Sequence, residues 1–427
     1  VYARDEGGRW RQFDAVTCTI AREPADPYIV YREMNVIYRK YTKMRICQSS
    51  IEDYEKTVVL DNRSFTGCMN CHTFLNNGTD RMVLHMRAGW VAAYGSGMLL
   101  FEDEDVSKVD TRTQFNPGMA AFSSWHPSGR VLAYSINKVR QFFHAARTDV
   151  REGFDLKSDL ALYHLDSGTV SSTPHISDPD RLETWPAWSA DGKHLYYCST
   201  ADWWRQPEEW DWRRAYADAA RVRYDLMRIP YDVETDSWGE PETVLSAQDL
   251  GLSIAQPRPS PDGRFLAFTA TEHGSFPTLE PRADIHLMDL ESGDHHRLAS
   301  NSDRCESWHS WSSNSRWLVF SSKRDDGLFI RPYFTHIDRH GKASKPFVLP
   351  QKDPHFYDTY IRIYQLPEFV KEPVRVTGER LGRVIRTAGW HEVDVTVTSA
   401  TPMPAARSPD ARQQTPPLPD PWTRAHR

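Results

Sequence analysis

Trp188-Ser-Ala-Asp-Gly-Lys-His-Leu-Tyr-Tyr197 decides the fold of this chain, because the same phrase recurs along it. The other copies are Trp125-His-Pro-Ser-Gly-Arg-Val-Leu-Ala-Tyr134, Pro259-Ser-Pro-Asp-Gly-Arg-Phe-Leu-Ala-Phe268 and Trp311-Ser-Ser-Asn-Ser-Arg-Trp-Leu-Val-Phe320, with starts 63, 71 and 52 residues apart. Each reads as a tight turn carrying Gly, Asp or Asn ahead of a short apolar strand, which is a hairpin within a propeller blade. The longer stretches Glu183-Thr-Trp-Pro-Ala-Trp-Ser189 and Glu306-Ser-Trp-His-Ser-Trp-Ser312 also match. A second strand-like element follows each phrase, at 159–168, 225–232, 284–293 and 329–338, and completes a four-stranded unit. Residues 77–86 read as a degenerate fifth phrase. The expected fold is therefore all-β, a β-propeller with five visible blades and a sixth built from residues before 65 with help from the C-terminal side.

Immediately ahead of that fifth phrase stands Cys68-Met-Asn-Cys-His72, the C-x-x-C-H pattern of c-type haem attachment. Two thiols three positions apart each form a thioether to one porphyrin, and the adjacent imidazole reaches the iron. With six Cys and 17 His in 427 residues, chance supplies this pentapeptide only ~0.003 times per chain. A structural zinc site needs a second ligand pair, and no second C-x-x-C exists. A thioredoxin-like dithiol opens a long helix, whereas Asn76-Asn77-Gly78 breaks the chain just beyond Cys71. The cofactor-binding residues expected are Cys68, Cys71, His72 and His85, with His72 and His85 on the iron. His85 enters because Met82, Leu84 and Met86 share one face of a strand, which leaves His85 conspicuous on the other. Met82, Met86, His144 or no sixth ligand stay open as alternatives, and Met/His ligation would raise the reduction potential.

The Ser-x-Asp-Gly-Lys/Arg-x-Leu-x-Phe phrase resembles the TolB-like, WD-type propeller repeat, over roughly residues 75–350. Gly67-Cys-Met-Asn-Cys-His72 together with Trp308-His-Ser-Trp-Ser-Ser-Asn314 and Arg331-Pro-Tyr333 is similar to a bacterial group of TolB-like proteins bearing one C-x-x-C-H. That resemblance implies six blades, one covalent haem c, and a periplasmic or extracellular location, where such haems are attached. The chain opens on Val1 without an initiator Met, consistent with a mature form whose export signal has been removed.

The boundaries expected are an N-terminal region with the haem motif (1–74), the propeller (75–350), a helical flank (351–372) and a low-complexity, disordered tail (373–427). The flank rests on Phe356, Tyr357, Tyr360, Ile361 and Tyr364, spaced as on one amphipathic helix. The tail carries many prolines and little apolar periodicity. Cys18 and Cys47 are a candidate disulfide, while Cys198 and Cys305 belong to separate blades and are expected unpaired. A Trp-rich insert, 201–222, reads as a cap on the propeller rim or as a partner surface.

A formal net charge of −6, from 52 basic and 58 acidic residues without a basic run, argues against a nucleic-acid partner. No stretch reaches the ~20 apolar residues of a membrane-spanning helix. One haem motif and no second cofactor signature point to an electron carrier that docks a protein redox partner. The alternatives are a haem enzyme with an open distal site for peroxide or a nitrogen oxide, with His126, His144, His309, Arg324 and Arg331 as candidate donors, and a binding module with a structural or sensory haem.

Overall fold

The computed structural model describes residues 2–14, 19–36, 43–65, 67–88, 95–113, 118–143, 151–203 and 218–395. Its strands form six antiparallel blades around one axis. Blades 2 to 6 run in chain order from inside to outside, with inner strands Gly67–Phe74, Ala120–Trp125, Arg181–Trp188, Ser253–Pro259 and Glu306–Trp311. Blade 1 is composite. Its inner strand, Arg362–Val370, pairs antiparallel with Tyr28–Asn35, followed outward by Arg45–Ser50 and Lys56–Asp61. Each inner strand touches the next, and Arg362–Val370 touches Gly67–Phe74, so the ring is closed. Closure leaves no long unpaired edge at the axis.

The repeated phrase forms the turn from inner to second strand. Gly129, Gly192 and Gly263 hold its left-handed position at φ 72°, 73° and 73°. Ser315 takes that conformation in the fourth copy (φ 62°), and in blade 2 Asn76 and Asn77 do so (φ 50° and 60°). A serine opens three of these turns by bonding the Asp or Asn two residues on: Ser189 to Asp191, Ser260 to Asp262 and Ser312 to Asn314, at 2.6–2.7 Å.

Apolar cores lie between blades. Val30, Ile46, Leu84 and Phe101 fill the space between blades 1 and 2, and Leu162, Trp188 and Leu195 that between blades 3 and 4. Strand periodicity dictates this, since alternate residues of each second strand serve the two flanking interfaces.

Several expected boundaries are corrected. Residues 1–74 are not a separate region, because they supply three strands of blade 1 and the inner strand of blade 2. In 351–372 only Phe356–Thr359 is helical; the rest centres on the closing strand Arg362–Val370, whose aromatic spacing mimics a helix but whose backbone bonds are met by Tyr28–Asn35. The tail is structured as far as 395. Helix Gly378–Thr387, capped by Thr377, buries Leu381 and Ile385 between blades 1 and 2. Trp390–Glu392 and Asp394–Val395 then add parallel outer strands to blades 2 and 3 and cover their edges. Residues 396–427 lie outside the described residues.

Candidate functional site

Cys68, Cys71 and His72 sit on the inner strand of blade 2; Cys71 and His72 line a space at the central channel, while Cys68 packs in the core between blades 1 and 2. The strand carries a bulge: Met69 opposes Met86 and His72 opposes Leu84, leaving one extra residue between. The same break recurs in all five other inner strands, at Ala120/Ser123, Thr184/Ala187, Ala255/Arg258, Ser307/Ser310 and Gln365/Glu368. The C-x-x-C-H pentapeptide thus occupies a position that every blade bends, and bulges re-aim side chains.

Both thiols are buried and unpaired. Burial pushes Cys71 up to about 11 and raises Cys68, against the opposing pull of the Arg32 and Arg87 guanidiniums. Such thiols are protonated at neutral pH, unlike the low-pKa thiolate of a disulfide-exchange catalyst. His72 is buried, with its Nε2 3.3 Å from the Val30 carbonyl of blade 1 and its Nδ1 without a hydrogen bond of good geometry among the described residues. Burial holds it down to about 4, so the imidazole is neutral, the form in which it binds a metal.

His85 is brought to the other side of the sheet. Met82, Leu84 and Met86 join Cys68 and Met69 in the core toward blade 1, while Val83 packs toward blade 3. His85 shares Val83's face, and its Nε2 lies 3.1 Å from the Ser123 hydroxyl of blade 3. The expected pairing of His72 and His85 on one iron is therefore not what the folded strands present, because alternation along the strand puts the blade between the two imidazoles. Met82 and Met86 are core residues, and His144 lies outside the described residues.

The channel opens into a funnel with a cavity of about 140 Å³, and a second, smaller cavity of about 20 Å³ lies against Cys71, His72 and His309. Phe122, Trp185, Gln256 and Trp308 line both. Phe122 stacks on Trp185 with centroids 3.4 Å apart, and Trp308 meets Trp185 edge-on at 5.2 Å, forming an aromatic collar. Trp185, Gln256, Trp308 and Leu366 are the bulge residues of blades 4, 5, 6 and 1, all left-handed at φ 52–58°. That conformation costs a non-glycine residue about 1–2 kcal/mol, and strain of this kind concentrates at functional sites. Arg32 is buried beside the motif, donating to the Met69 carbonyl (3.2 Å) and to Gln365 Oε1 (2.6 Å).

The residue types are those that hold a c-type haem, two free thiols and a neutral imidazole on one strand. The open space beside Cys71 and His72 is about 20 Å³ and that of the neighbouring funnel about 140 Å³, below the roughly 300–1,000 Å³ typical of cofactor sites. Among the described residues no three His, Cys, Asp or Glu side chains converge as a metal-binding group, so the motif has no partners for a tetrahedral zinc site. No described helix is long and apolar enough to cross a membrane.

Sequence reasoning missed Arg32, Arg87, Gln256 and the collar. The available signal was the offset to the following turn: Met69-Asn-Cys-His-Thr73 precedes Asn76-Asn77-Gly78 much as Ser307-Trp-His-Ser-Trp311 precedes Asn314-Ser315. Other residues suggested by the sequence have structural partners. His126 bonds the Gly192 carbonyl, Arg324 pairs with Glu306, and Arg331 donates to the Tyr360 carbonyl. Cys198 and Cys305 are buried and in no disulfide, and the Cys305 thiol donates to the Pro277 carbonyl (3.2 Å). Cys47 is buried in blade 1, while Cys18 and residues 204–217 of the Trp-rich insert lie outside the described residues.

No protein-family model matches the chain, and no curated protein does. Among solved structures the chain is similar to TolB from Acinetobacter baumannii (13% identity, 81% of this chain and 67% of that one, TM-score 0.48). It is also similar to one of two prolyl endopeptidases (14%, 76% and 49%, TM-score 0.40) and to the Dos1 propeller (13%, 68% and 64%, TM-score 0.40).

Proposed function

We propose that this protein is a c-type cytochrome of the periplasm or cell exterior, carrying one haem on Cys68 and Cys71 with His72 as axial ligand, and passing electrons to or from a docked protein partner. The observation that carries the reading is C-x-x-C-H on an inner blade strand, with two free thiols and a neutral imidazole, Cys71 and His72 facing the channel. When bound, the haem supplies a one-electron couple. The chain's own residues do the rest. Cys68 and Cys71 tether the group against loss to the surroundings. Burial keeps His72 neutral and shields it from water. The propeller rim supplies loops broad enough to dock a partner.

A second reading, an open iron site acting on a small molecule, is favoured by one feature: His85 lies across the blade from His72 while the funnel communicates with solvent. Absorption spectra of the oxidised and reduced holoprotein, with and without carbon monoxide, separate the two. A low-spin spectrum insensitive to carbon monoxide supports the electron carrier. Carbon monoxide binding moves the enzyme reading to first place, and a purified protein without a haem spectrum overturns both.

A further inference from the structure

The funnel at the mouth of the channel is lined by two guanidiniums, Arg32 and Arg87, and by no carboxylate among the described residues. Arg32 is anchored by the Met69 carbonyl and Gln365 Oε1, which hold its charge at the wall. Arg87 makes no ion pair among the described residues, in contrast to Arg258, which pairs with Glu368 at 2.6 Å, and its buried Nε has no acceptor. Two more buried donors of lining residues are likewise unmet, Gln256 Nε2 and Trp308 Nε1. The Gln256 amide is fixed in its orientation, because its Oε1 accepts from the Trp308 backbone N–H (2.7 Å) and from the Thr269 hydroxyl (3.1 Å). Buried donors left unmet are costly, so their concentration around one cavity calls for a ligand that brings acceptors. Gln256 and Trp308 are also left-handed, at φ 55° and 52°, so the backbone is strained where it presents them.

These donors define both the charge and the size of that ligand. Arg32 and Arg87 belong to blades 1 and 2, and Gln256 and Trp308 to blades 5 and 6, so acceptors are needed at two walls rather than one. The cavity of about 140 Å³ is close to the roughly 150 Å³ that holds a benzene, which limits the ligand to about six or seven non-hydrogen atoms. Phe122, Trp185 and Trp308 face the space with aromatic surface, and the low local dielectric they impose strengthens each charged contact. Two positive charges at one wall, neutral donors at the other and a span of this size together describe a short dicarboxylate.

We propose that the funnel binds a short dicarboxylate, with one carboxylate on Arg32 and Arg87 and the other on Gln256 Nε2 and Trp308 Nε1. The guanidiniums supply charge-assisted bonds. The donors on the far wall select for length and for an acceptor at the second end. The site is built from the chain's own donors and does not rest on the haem reading.

The test is calorimetric titration of the purified protein, as isolated and at constant ionic strength, with three probes. These are malonate, its uncharged isostere malonamide, and butyrate, which lacks the second carboxylate. Malonate should bind with one molecule per chain, malonamide should not bind, and butyrate should bind at least about tenfold more weakly than malonate. Arg87→Gln should weaken malonate by about tenfold or more. Gln256→Glu keeps the acceptor oxygen for Trp308 and Thr269 but replaces the unmet donor with a second acceptor, and should weaken malonate as much; it decides the matter if Arg87→Gln does not fold. Arg130→Gln, a control in the turn at the far end of blade 3, should match wild type. No malonate binding, equal binding of malonamide or butyrate, or unchanged affinity in both funnel variants overturns the inference. A shift of the haem absorption on adding malonate also overturns it, by placing the anion on the iron. Malonate binding to a protein isolated without haem overturns the haem reading and leaves this inference standing.

Discussion

His72 and His85 are 13 residues apart on neighbouring strands, yet they face different blades, so their substitutions should separate cleanly. His72→Ala should abolish the axial ligation seen in the absorption spectrum. His85→Ala should leave that spectrum unchanged while costing about 2 kcal/mol of stability, from the lost Ser123 contact and the space left behind; a spectral change in His85→Ala would restore it as a ligand. Acid sensitivity provides an independent check. Burial lowers His85 to about 3 in the folded state, against ~6.5 unfolded. Between those values the unfolded chain binds the proton, so the stability His85 permits is full above about pH 6.5 and is lost as the pH falls toward 3. Denaturant midpoints at pH 7 and pH 4.5 should show wild type losing on the order of 2 kcal/mol more than His85→Gln. The C-x-x-C-H residues proposed to attach haem were legible because the pattern is local: two residue types at fixed spacing. The partner of His72 was not legible, because it depends on which face of a blade each side chain takes, and a one-residue bulge resets that alternation.

At the scale of the strand, the motif depends on a close approach at its first residue. A Cβ on Gly67 would lie 2.4 Å from the Arg87 carbonyl oxygen, a backbone atom of the paired strand. Gly67→Ala must therefore displace the start of the strand that carries Cys68. It should lower stability by about 1–3 kcal/mol and reduce the fraction of chains carrying haem, measured as the ratio of haem to protein absorbance. Unchanged loading with an unchanged Tm would mean that this strand tolerates movement. Four of the inner-to-second-strand hairpins were readable because Ser-x-Asp-Gly and its variants encode a turn by local backbone preference. Arg362–Val370 was not, because Phe356, Tyr357, Tyr360 and Tyr364 fall at helical spacing. Its strand identity comes from pairing with Tyr28–Asn35, more than 300 residues away, where tertiary hydrogen bonds override local pattern.

Ring closure belongs to the whole molecule, and Glu368 concentrates it. From blade 1 it accepts from Arg258 of blade 5 (2.6 Å) and from the Ser310 hydroxyl of blade 6 (2.7 Å). Glu368→Ala leaves Arg258 without its counter-charge. Because that guanidinium keeps 30% of its side-chain exposure, the expected loss is about 2–3 kcal/mol, below the full cost of a buried pair. Thermal unfolding checks this, and an unchanged Tm would show that the backbone strands alone close the ring. The same closure places the C-x-x-C-H strand on the axis, where the proposed tethered group would meet side chains from several blades. The most direct test of that account is the intact mass of the denatured protein, produced in a host with c-type haem maturation, for wild type and for the Cys68→Ala/Cys71→Ala double variant. The account predicts one haem's mass added to wild type and none to the variant; wild-type chains that emerge with both thiols unmodified would contradict it.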